Sequence, residues 1–465
     1  MKPAIAPIGL DYLADSLRAS GHEPGLLDLC LSELKADEIK NRVSQFSPYA
    51  VGITIRNTDD CYFASQSFFL PEIREIVGLL RRATNTPVIL GGVGYSTAPA
   101  AILAYCQADF GIAGEGEFAL PQLLAGIEHR SDIRRVPNLL YHCDGRILRN
   151  PSIDVDLAQL PVRRRLIVDN ADYFRRGGQA GFETKRGCAM QCIYCADPIS
   201  KGRSIRLLPP SRVVQELGAL VSEGIDHFHA CDSEFNLPLD HASQVCEAII
   251  EEGLHKKIRW YAYCAPKPFD ETAANLMKRA GCAGINFGVD SACDSVLRNL
   301  GRNFTVSDLQ NLVQVCRRNR ISSMFDLLLG GPGETYETIR TTIDFVRRIN
   351  PDCVGLSIGL RVYQDTALAR SIQDSGEPAE NPNLFGAKGK NPDFLEPVFY
   401  IADGLGRDLF DYVQNLVSGD RRFFLPAQSR GNSDYNYNEN LSLVQAIEKG
   451  ARGAYWDILR NLSRN

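Results

Sequence analysis

The sequence predicts an α/β protein with two parallel-sheet units followed by a small mixed C-terminal region. Three observations lead to this expectation. Apolar strand runs alternate with amphipathic helices over residues 1–127. The alternation returns with a longer period over residues 181–375, and it is lost from residue 376 onwards. Such alternation is typical of parallel sheets covered by helices, here a Rossmann-like open sheet and then a full or partial (β/α)6 barrel.

In the first unit, Leu10, Leu13 and Leu17 share one helical face, and residues 25–29 have the pattern of a short strand. Three further strands are expected, each followed by a turn or helix. Doubly wound sheets bind ligands at the carboxyl ends of their strands, so the residues after these strands are candidate binding residues. They are Arg56, Gly91 and Gly92, and Gly114 and Glu115.

Residues 128–180 are irregular and rich in proline, so we expect a linking segment with the solvated charge run Arg163-Arg164-Arg165. A net charge of −5 and a pI of 5.9 disfavour a nucleic-acid partner. No run approaches the roughly 18 apolar residues of a membrane span, and no secretory signal is recognisable. We therefore expect a cytoplasmic protein with free thiols and no membrane contact.

The second unit opens with three cysteines in the pattern C-x3-C-x2-C, namely Cys188, Cys192 and Cys195. Three thiolates on one loop suit an iron–sulfur cluster that leaves one iron open. A structural zinc ion normally needs a fourth Cys or His nearby, and the next candidates lie about thirty residues downstream. Unligated thiols are the remaining alternative.

About six strand–helix pairs follow this loop, which predicts a full or partial barrel. Its strands end in acidic and glycine-rich turns that would line the active rim. The candidate residues there are Glu234, Asp290, Ser291, Leu329, Gly331 and Glu334, and two tyrosines, Tyr261 and Tyr263, lie on one strand of the barrel.

With the aromatic Tyr194 before the last cysteine, residues 180–375 resemble the radical S-adenosylmethionine (SAM) enzymes. The resemblance implies that the three cysteines hold a [4Fe–4S] cluster whose open iron binds SAM, reduced by a donor of the flavodoxin or ferredoxin type. It implies that Asp290 and Ser291 lie near the SAM ribose. It also implies that Leu329, Gly331 and Glu334 lie near the adenine and methionyl groups, with Tyr194 and Glu234 as further cofactor contacts.

Residues 3–127 resemble the cobalamin-binding domain that many of these enzymes carry. The similar motifs are PIGLDYLA at 7–14, LGGV at 90–93 and GEGE at 114–117. The resemblance implies that cobalamin lies at Gly91, Gly92, Gly114 and Glu115. The chain has no D-x-H-x-x-G motif, so it offers no histidine as a lower cobalt ligand. The usual first strand of that domain would precede residue 7.

The tightest resemblance is to the tryptophan 2-C-methyltransferase subgroup, through residues 55–60, 183–188, 195–198 and 435–440. It implies that Arg56 faces the lower side of cobalt, that Glu234 caps the cluster, and that Tyr261 or Tyr263 acts as a base. Residues 376–465 would form a substrate or lid region, in which Phe399, Tyr400, Tyr435 and Tyr437 are candidates to stack on an aromatic ring.

The implied function is cobalamin-dependent methyl transfer from SAM to a carbon of a small, tryptophan-like substrate. Two alternatives stay open from the residues. One is SAM cleavage without cobalamin, giving a 5′-deoxyadenosyl or 3-amino-3-carboxypropyl radical. The other is a non-catalytic iron–sulfur scaffold or sensor, against which the acidic and glycine turns of the barrel rim argue.

Overall fold

The computed structural model describes residues 3–30, 35–406, 408–425 and 440–464. No helix within these ranges is long and apolar enough to cross a membrane. The chain forms two sheets of five and seven strands, with one three-stranded and one two-stranded sheet beside them.

The first sheet has five strands in the order β1-β2-β3-β4-β5. β1 to β3 are parallel, and β4 and β5 extend the sheet antiparallel from β3. The strands are β1 (Val51–Thr54), β2 (Val88–Gly91), β3 (Phe110–Ile112), β4 (Leu139–Cys143) and β5 (Arg146–Arg149). The helices of this unit are α1 (Ile8–Ala19), α2 (Lys35–Phe46), α3 (Leu70–Ala83), α4 (Pro99–Cys106) and α5 (Gly116–Glu128).

Two sequence expectations differ from this sheet. Residues 25–29 form no strand. Leu27 and Leu29 pack against the hydrophobic core of the first unit and are half-buried there, but they do not join its sheet. Residues 139–149, expected in a linking segment, are a hairpin of the first sheet. Its turn, Asp144-Gly145, has positive φ at both residues (49° and 74°), which suits the right-handed twist of paired strands.

The second sheet is the partial barrel, with seven parallel strands in the order β17-β13-β12-β11-β10-β9-β6. The six expected strands are present, and a short seventh is added at one edge. These strands and the small ones between them are β6 (Ala180–Phe182), β7 (Lys185–Arg186), β8 (Arg206–Leu207), β9 (His227–Ala230), β10 (Arg259–Cys264), β11 (Cys282–Asp290), β12 (Ser322–Leu329), β13 (Cys353–Ile358), β14 (Leu360–Arg361), β15 (Leu384–Gly386), β16 (Val398–Tyr400) and β17 (Phe423–Phe424).

Helices cover the barrel sheet and continue into the C-terminal region. They bury one apolar side each, as is typical of helices packed on a sheet. They are α6 (Asn170–Gly177), α7 (Asp197–Ser200), α8 (Pro210–Ser222), α9 (Leu239–Glu251), α10 (Glu271–Arg279), α11 (Asp294–Asn299), α12 (Val306–Leu309), α13 (Leu312–Arg318), α14 (Tyr336–Ile349), α15 (Ala367–Asp374), α16 (Leu409–Val417), α17 (Leu441–Glu448) and α18 (Tyr455–Arg464).

The barrel floor consists of Tyr261, Met324, Cys353 and Trp456, which form one buried cluster toward the amino ends of the strands. Trp456 comes from α18, and its ring meets that of Tyr261 edge to face at 5.9 Å. The aromatic side chains of the last helix are therefore packing residues, as expected. They close this end of the barrel.

The two units are joined by a buried ion-pair network around Arg165. Its Nε donates to Asp11 on α1 at 2.9 Å, and its Nη1 donates to Glu216 on α8 at 2.7 Å. Arg163 is also buried and pairs with Glu183 at 2.7 Å. The expectation of a solvated charge run is wrong for these two arginines, because each neutralises buried carboxylates. Arg164 between them is exposed.

Candidate functional site

The cysteine loop, residues 187–196, connects β7 to α7 at one end of the barrel sheet. The Cys188 N–H donates to the carbonyl of Gly202 at 3.0 Å, and the Cys195 N–H donates to the carbonyl of Cys192 at 3.3 Å. Cys188 is buried, whereas the other two thiols are half-buried. The backbone bonds hold the three thiols on one folded loop.

Two glycines let neighbouring backbone approach this loop closely. Gly187 has a φ of 92°, and a Cβ there would lie 2.0 Å from the carbonyl oxygen of Ser204. A Cβ at Gly301 would lie 2.3 Å from the carbonyl oxygen of Gln191. A side chain at either position would push the loop out of place.

Arg302, the residue after Gly301, links the loop to the end of β11. Its Nη1 donates to Cys192 Sγ at 2.9 Å, and its Nε lies 3.3 Å from Asp290 Oδ2. The Tyr194 hydroxyl donates to the same carboxylate oxygen at 2.7 Å. Asp290 has a φ of 60° at a bulge of the β11–β12 pair, which turns its side chain toward the loop. Two predicted site residues, Tyr194 and Asp290, are thus brought together.

Burial raises the pKa of each of the three cysteine thiols, and the Arg302 guanidinium opposes this rise at Cys192. Among the described residues, no three His, Cys, Asp or Glu side chains converge as a single metal ion would require. In a [4Fe–4S] cluster each cysteine binds a different iron, so its thiols need more separation than around one zinc ion. Three thiolates on one loop are the donor set of a [4Fe–4S] cluster that leaves one iron open.

Glu234 lies over the strand end next to this loop. A Cβ at Gly288 would lie 3.8 Å from Glu234 Oε1, and the negative charge of Glu234 adds to the raised pKa of Cys188. Burial raises the pKa of Glu234 to about 7, against the opposing charges of Arg302 and Lys185. Its Oε2 is buried and has no hydrogen-bond partner in the described part of the chain. Such a carboxylate is poised for a ligand.

The turn after β12 contains the predicted residues Leu329, Gly331 and Glu334. Glu334 Oε2 accepts hydrogen bonds from the N–H groups of Gly330, at 2.5 Å, and Gly331, at 3.1 Å. Its Oε1 is buried without a partner among the described residues, and burial raises its pKa to about 7. Leu329 is fully buried at the strand end. The Glu334 carboxylate thus stabilises the backbone of the turn that follows β12.

Two predicted residues are engaged inside the fold, away from the cysteine loop. Ser291 is fully buried, and its Oγ lies 3.2 Å from Thr342 Oγ1. Tyr261 belongs to the barrel floor, where its hydroxyl donates to Asp457 Oδ2 at 2.9 Å. The alternation of β10 places Tyr261 and Tyr263 on the same face, but two residues apart in depth.

At the carboxyl edge of the first sheet, the turn Gly91–Gly94 packs against the end of β1. Gly92 has a φ of 101°, and a Cβ there would lie 2.6 Å from the carbonyl oxygen of Ile55. Arg56 follows directly and is exposed. Gly114, with a φ of 95°, opens the turn after β3. Apolar surface is accessible here, since Val93 is 45% exposed and Phe118 is 47% exposed. An open apolar edge with glycine turns fits a large flat cofactor such as cobalamin.

Glu115, also a predicted cofactor residue, forms an ion pair with Arg206 of β8. The neighbouring Glu117 accepts from Arg186 Nη2 at 2.6 Å, just before the cysteine loop. Burial raises the pKa of Glu115, and Arg206 opposes the rise. The GEGE motif therefore fastens the first unit to the strands that carry the cysteine loop.

Tyr263 connects the two units from the barrel side. It is 42% accessible, and it lies beside His229 of β9 and opposite Asn286 of β11. Burial and the Asp326 carboxylate raise its pKa, whereas the Arg56 guanidinium opposes the rise. Arg56 also opposes the raised pKa of Cys231. Arg56 of the first unit thus lies near Tyr263 and Cys231 of the barrel.

The comparisons with known proteins agree with this arrangement. The family model "B12 binding domain" matches residues 2–124, and the model "Radical SAM superfamily" matches residues 182–346. Tryptophan 2-C-methyltransferase from Streptomyces laurentii is 30% identical, over 98% of this chain and 93% of that protein. The chain belongs to the cobalamin-dependent radical SAM methyltransferases.

Solved structures of the family agree with the fold. The radical SAM methyltransferase TsrM from Kitasatospora setae, with tryptophan and a SAM analogue bound, superposes with a TM-score of 0.92 at 30% identity. That match covers 99% of this chain and 96% of the other. A second structure of TsrM, with cobalamin and a [4Fe–4S] cluster bound, has a TM-score of 0.88 at 28% identity. It covers 100% of this chain and 96% of the other.

The methyltransferase accordingly has three cofactors, cobalamin, SAM and a [4Fe–4S] cluster. The expected family and fold class are confirmed. Of the candidate lid aromatics, Phe399 is buried and packs edge to face on Phe63 of the first unit at 5.8 Å, and Tyr400 is half-buried. Tyr435 and Tyr437 lie outside the described residues.

Sequence reasoning missed three residues of this methyltransferase that the structure brings to the site. Arg302 contacts the cysteine loop but lies more than a hundred positions after it in the chain, in no motif. Asn286 and Asp326 lie inside the barrel on adjacent strands. Polar residues at inward positions of barrel strands were a usable signal, because such positions are normally apolar.

Proposed function

We propose that this methyltransferase transfers the methyl group of SAM to a ring carbon of tryptophan or a closely similar aromatic amino acid. The observation that carries the proposal is the approach of Arg56 of the first unit to Tyr263 of the barrel, which is 42% accessible. Support comes from the relative at 30% identity, whose name specifies tryptophan C2, and from the TsrM structure with tryptophan bound.

Cobalamin, when bound at the edge of the first sheet, supplies a cobalt centre able to accept and donate a methyl group. We infer that Gly91, Gly92 and Gly114 keep that edge open. Arg56 brings its positive charge to the same edge, near Tyr263 of the barrel. A guanidinium has only N–H donors and no lone pair to give, so Arg56 would not act as a ligand to cobalt.

We assign the cluster to Cys188, Cys192 and Cys195, with Glu234 as a carboxylate beside the open iron. The pKa of Glu234 is raised in the protein without a cluster. The positive charge of iron would lower this pKa and favour the carboxylate form. Asp290 and Tyr194 form the wall next to the cluster. Glu334 keeps the neighbouring turn in place for SAM, with Leu329 and Gly331. Ser291 would act only through its buried bond to Thr342.

Of the two predicted tyrosines, Tyr263 is the one that reaches the substrate space. Its raised pKa keeps the phenol protonated at neutral pH, so we infer that it positions the substrate by donating a hydrogen bond. Tyr261 is 4% exposed and supports the barrel floor. We therefore assign Tyr261 a structural role.

The test uses enzyme loaded anaerobically with cluster and cobalamin, supplied with SAM and L-tryptophan. We expect tryptophan methylated at C2 and S-adenosylhomocysteine. Arg56→Ala should lower this activity by at least about tenfold while iron and corrinoid contents stay unchanged, as expected for the loss of one interaction with a charged group. Arg82→Ala, an exposed arginine on α3, is the matched control.

Two results would contradict the proposal. Formation of 5′-deoxyadenosine or methylthioadenosine without methylated product would favour radical SAM cleavage that does not use cobalamin. Full activity of Arg56→Ala would separate Arg56 from methyl transfer. A third candidate, a scaffold or sensor, would require the chain to hold the cluster and leave SAM unchanged.

We also propose a flavodoxin- or ferredoxin-type electron donor and a cytoplasmic location. A [4Fe–4S] cluster needs a source of low-potential electrons to be reduced. No disulfide joins the cysteines of the described residues, which is usual in a reducing compartment.

A further inference from the structure

A layer of polar side chains crosses the barrel interior directly above the barrel floor. It consists of His229 on β9, Tyr263 on β10, Asn286 on β11 and Asp326 on β12, and we call it the polar layer. The rings of His229 and Tyr263 lie 5.1 Å apart. Tyr263 pairs with Asn286 in the β10–β11 register, and Asn286 Nδ2 donates to Asp326 Oδ2 at 2.7 Å.

Polar residues at these positions need an explanation. The interior of a βα barrel is normally filled by branched apolar side chains, as it is one layer below at Met324. Asn286 is 2% exposed, and its Oδ1 has no hydrogen-bond partner among the described residues. Burying such a polar group costs free energy unless a bonding partner recovers it. Four adjacent strands each contribute one polar side chain to the layer. A single chance substitution would place a polar residue on one strand only.

Three members of the layer have accessible surface. Tyr263 is 42% accessible, and Asp326 and His229 are partly accessible. Tyr62 of the first unit lies close to this carboxylate, since the negative charge of Asp326 adds to its raised pKa. The Asp326 carboxylate therefore acts electrostatically on tyrosines of both units, Tyr62 and Tyr263.

We propose that Asp326 is the anionic subsite that binds the ammonium group of the substrate amino acid. The inference rests on the proposed function, because it takes an aromatic amino acid as the substrate. An ammonium group offers three N–H donors and a full positive charge. A carboxylate pairs with that charge, and the faces of tyrosine rings attract it further.

The other members of the layer suit this role. Asn286 holds the Asp326 carboxylate in one orientation through its amide N–H. His229 is uncharged, because burial lowers its pKa to about 4. Its Nδ1 lies 2.8 Å from the carbonyl oxygen of Ala230, which can only accept, so Nδ1 carries the proton and Nε2 is left as an acceptor. The layer is thus rich in acceptors, whereas its one carboxylate supplies the charge.

The test measures binding to enzyme loaded with cluster and cobalamin, by isothermal titration under anaerobic conditions. Three probes share the indole ring: L-tryptophan, tryptamine, which lacks the carboxylate, and indole-3-propionate, which lacks the ammonium group. For Asp326→Asn we expect the Kd of both amines to rise by about tenfold or more, the loss expected for one charged hydrogen bond. The Kd of indole-3-propionate and of SAM should stay within about twofold.

The matched control is Asp344→Asn, which removes an exposed carboxylate from α14. Iron content and corrinoid absorbance verify that each variant is folded and loaded. An equal loss of all three indoles would overturn the inference, because Asp326 would then bind the ring or support the fold. An unchanged Kd for the amines would also overturn it. A loss confined to SAM would assign Asp326 to the methyl donor instead.

The outcomes separate this inference from the proposed function. If the enzyme binds tryptophan in a manner that depends on Asp326 but does not methylate it, the subsite stands and the proposed function is wrong. If it methylates tryptophan and Asp326→Asn binds all probes as the wild type does, the function stands and the subsite is wrong. If the wild type binds neither amine, both are wrong.

Discussion

Arg302 connects the cluster cysteines to the acidic end of β11. Its guanidinium donates to Cys192 Sγ at 2.9 Å and pairs with Asp290, and its side chain is 4% exposed. Hydrogen bonds to cysteine sulfur are one of the factors that set the reduction potential of an iron–sulfur cluster. A buried positive charge at the sulfur stabilises the more negative, reduced state. Arg302 therefore makes the cluster easier to reduce.

We expect Arg302→Gln to lower the midpoint potential of the cluster, since the positive charge next to Cys192 is lost. Arg302→Lys should lower it less, because the charge is kept while the guanidinium geometry is not. Redox titration followed by electron paramagnetic resonance measures the shift, with iron content as a check on loading. Arg298→Gln, an exposed arginine on α11, is the control. Equal potentials in all four proteins would contradict this role.

At the residue scale, the cysteines were predictable because their spacing is local and a loop of three thiols has few other uses. Arg302 was not predictable, since its contact with Cys192 arises from packing of Gly301 against the loop. Tyr261 and Tyr263 were equivalent in sequence, because residues two apart in a strand share a face. The floor cluster with Trp456, which is distant in sequence, separates them in depth.

The turn between β12 and α14 is held by Glu334, which is 1% exposed and accepts from two backbone N–H groups. Burial raises its pKa to about 7 from an ordinary value of 4.5. The folded protein therefore holds this proton more tightly than the unfolded chain does. Stability from this group is complete below about pH 4.5, falls as the pH rises, and is lost above about pH 7.

We expect Glu334→Gln to remove this part of the pH dependence in ligand-free protein. The wild type should lose about 3 kcal/mol from this carboxyl between pH 4.5 and pH 7, from 1.36 kcal/mol per pKa unit. The difference in unfolding free energy between variant and wild type should therefore grow in favour of the variant over that range. Urea unfolding at several pH values measures it. A difference that is constant with pH would show that Glu334 is ionised when folded.

At the element scale, the six barrel strands and the parallel strands β1 to β3 were predictable from apolar runs and the turns after them. The hairpin of β4 and β5 was missed although Asp144-Gly145 is a strong hairpin signal between apolar runs. The prolines around this turn are typical of irregular structure, and they led to the prediction of a linking segment. Residues 25–29 show the opposite error, because leucines that pack on a core without pairing have the same pattern as a strand.

The two units are held together by charges that are almost completely buried. Arg165 is 2% exposed and pairs with Asp11 of the first unit and Glu216 of the barrel. Tyr12 also donates to Glu216 at 2.9 Å. Removing the cation from such a network leaves buried carboxylates uncompensated, which costs far more than losing an exposed pair.

We expect Arg165→Met to destabilise the protein by about 3–5 kcal/mol, the usual cost of breaking a buried ion pair. Arg164→Met, the exposed neighbour, should change stability by less than about 0.5 kcal/mol. Anaerobic urea unfolding measures both, and limited proteolysis shows whether the first unit is released. If the two variants unfold at the same urea concentration, Arg165 does not hold the units together.

At the scale of the whole molecule, the order of the two units and their cofactors was predictable, because each carries its own motif. Their interface was not. Arg163, Arg164 and Arg165 are indistinguishable as sequence, and burial of the first and third depends on carboxylates of α1, α8 and the strands near the cysteine loop. Such pairing arises between distant segments and leaves no local pattern.

The barrel floor, with Trp456 and Tyr261 packed at 5.9 Å, has a kinetic consequence. It closes the barrel at the amino ends of the strands, so a molecule bound above it would exchange at the opposite end, where the cysteine loop lies. If Asp326 binds the substrate as proposed, and SAM binds nearer the cysteine loop, the substrate would have to arrive before SAM. Turnover would then follow a compulsory order, with the amino acid first to bind and its methylated product last to leave.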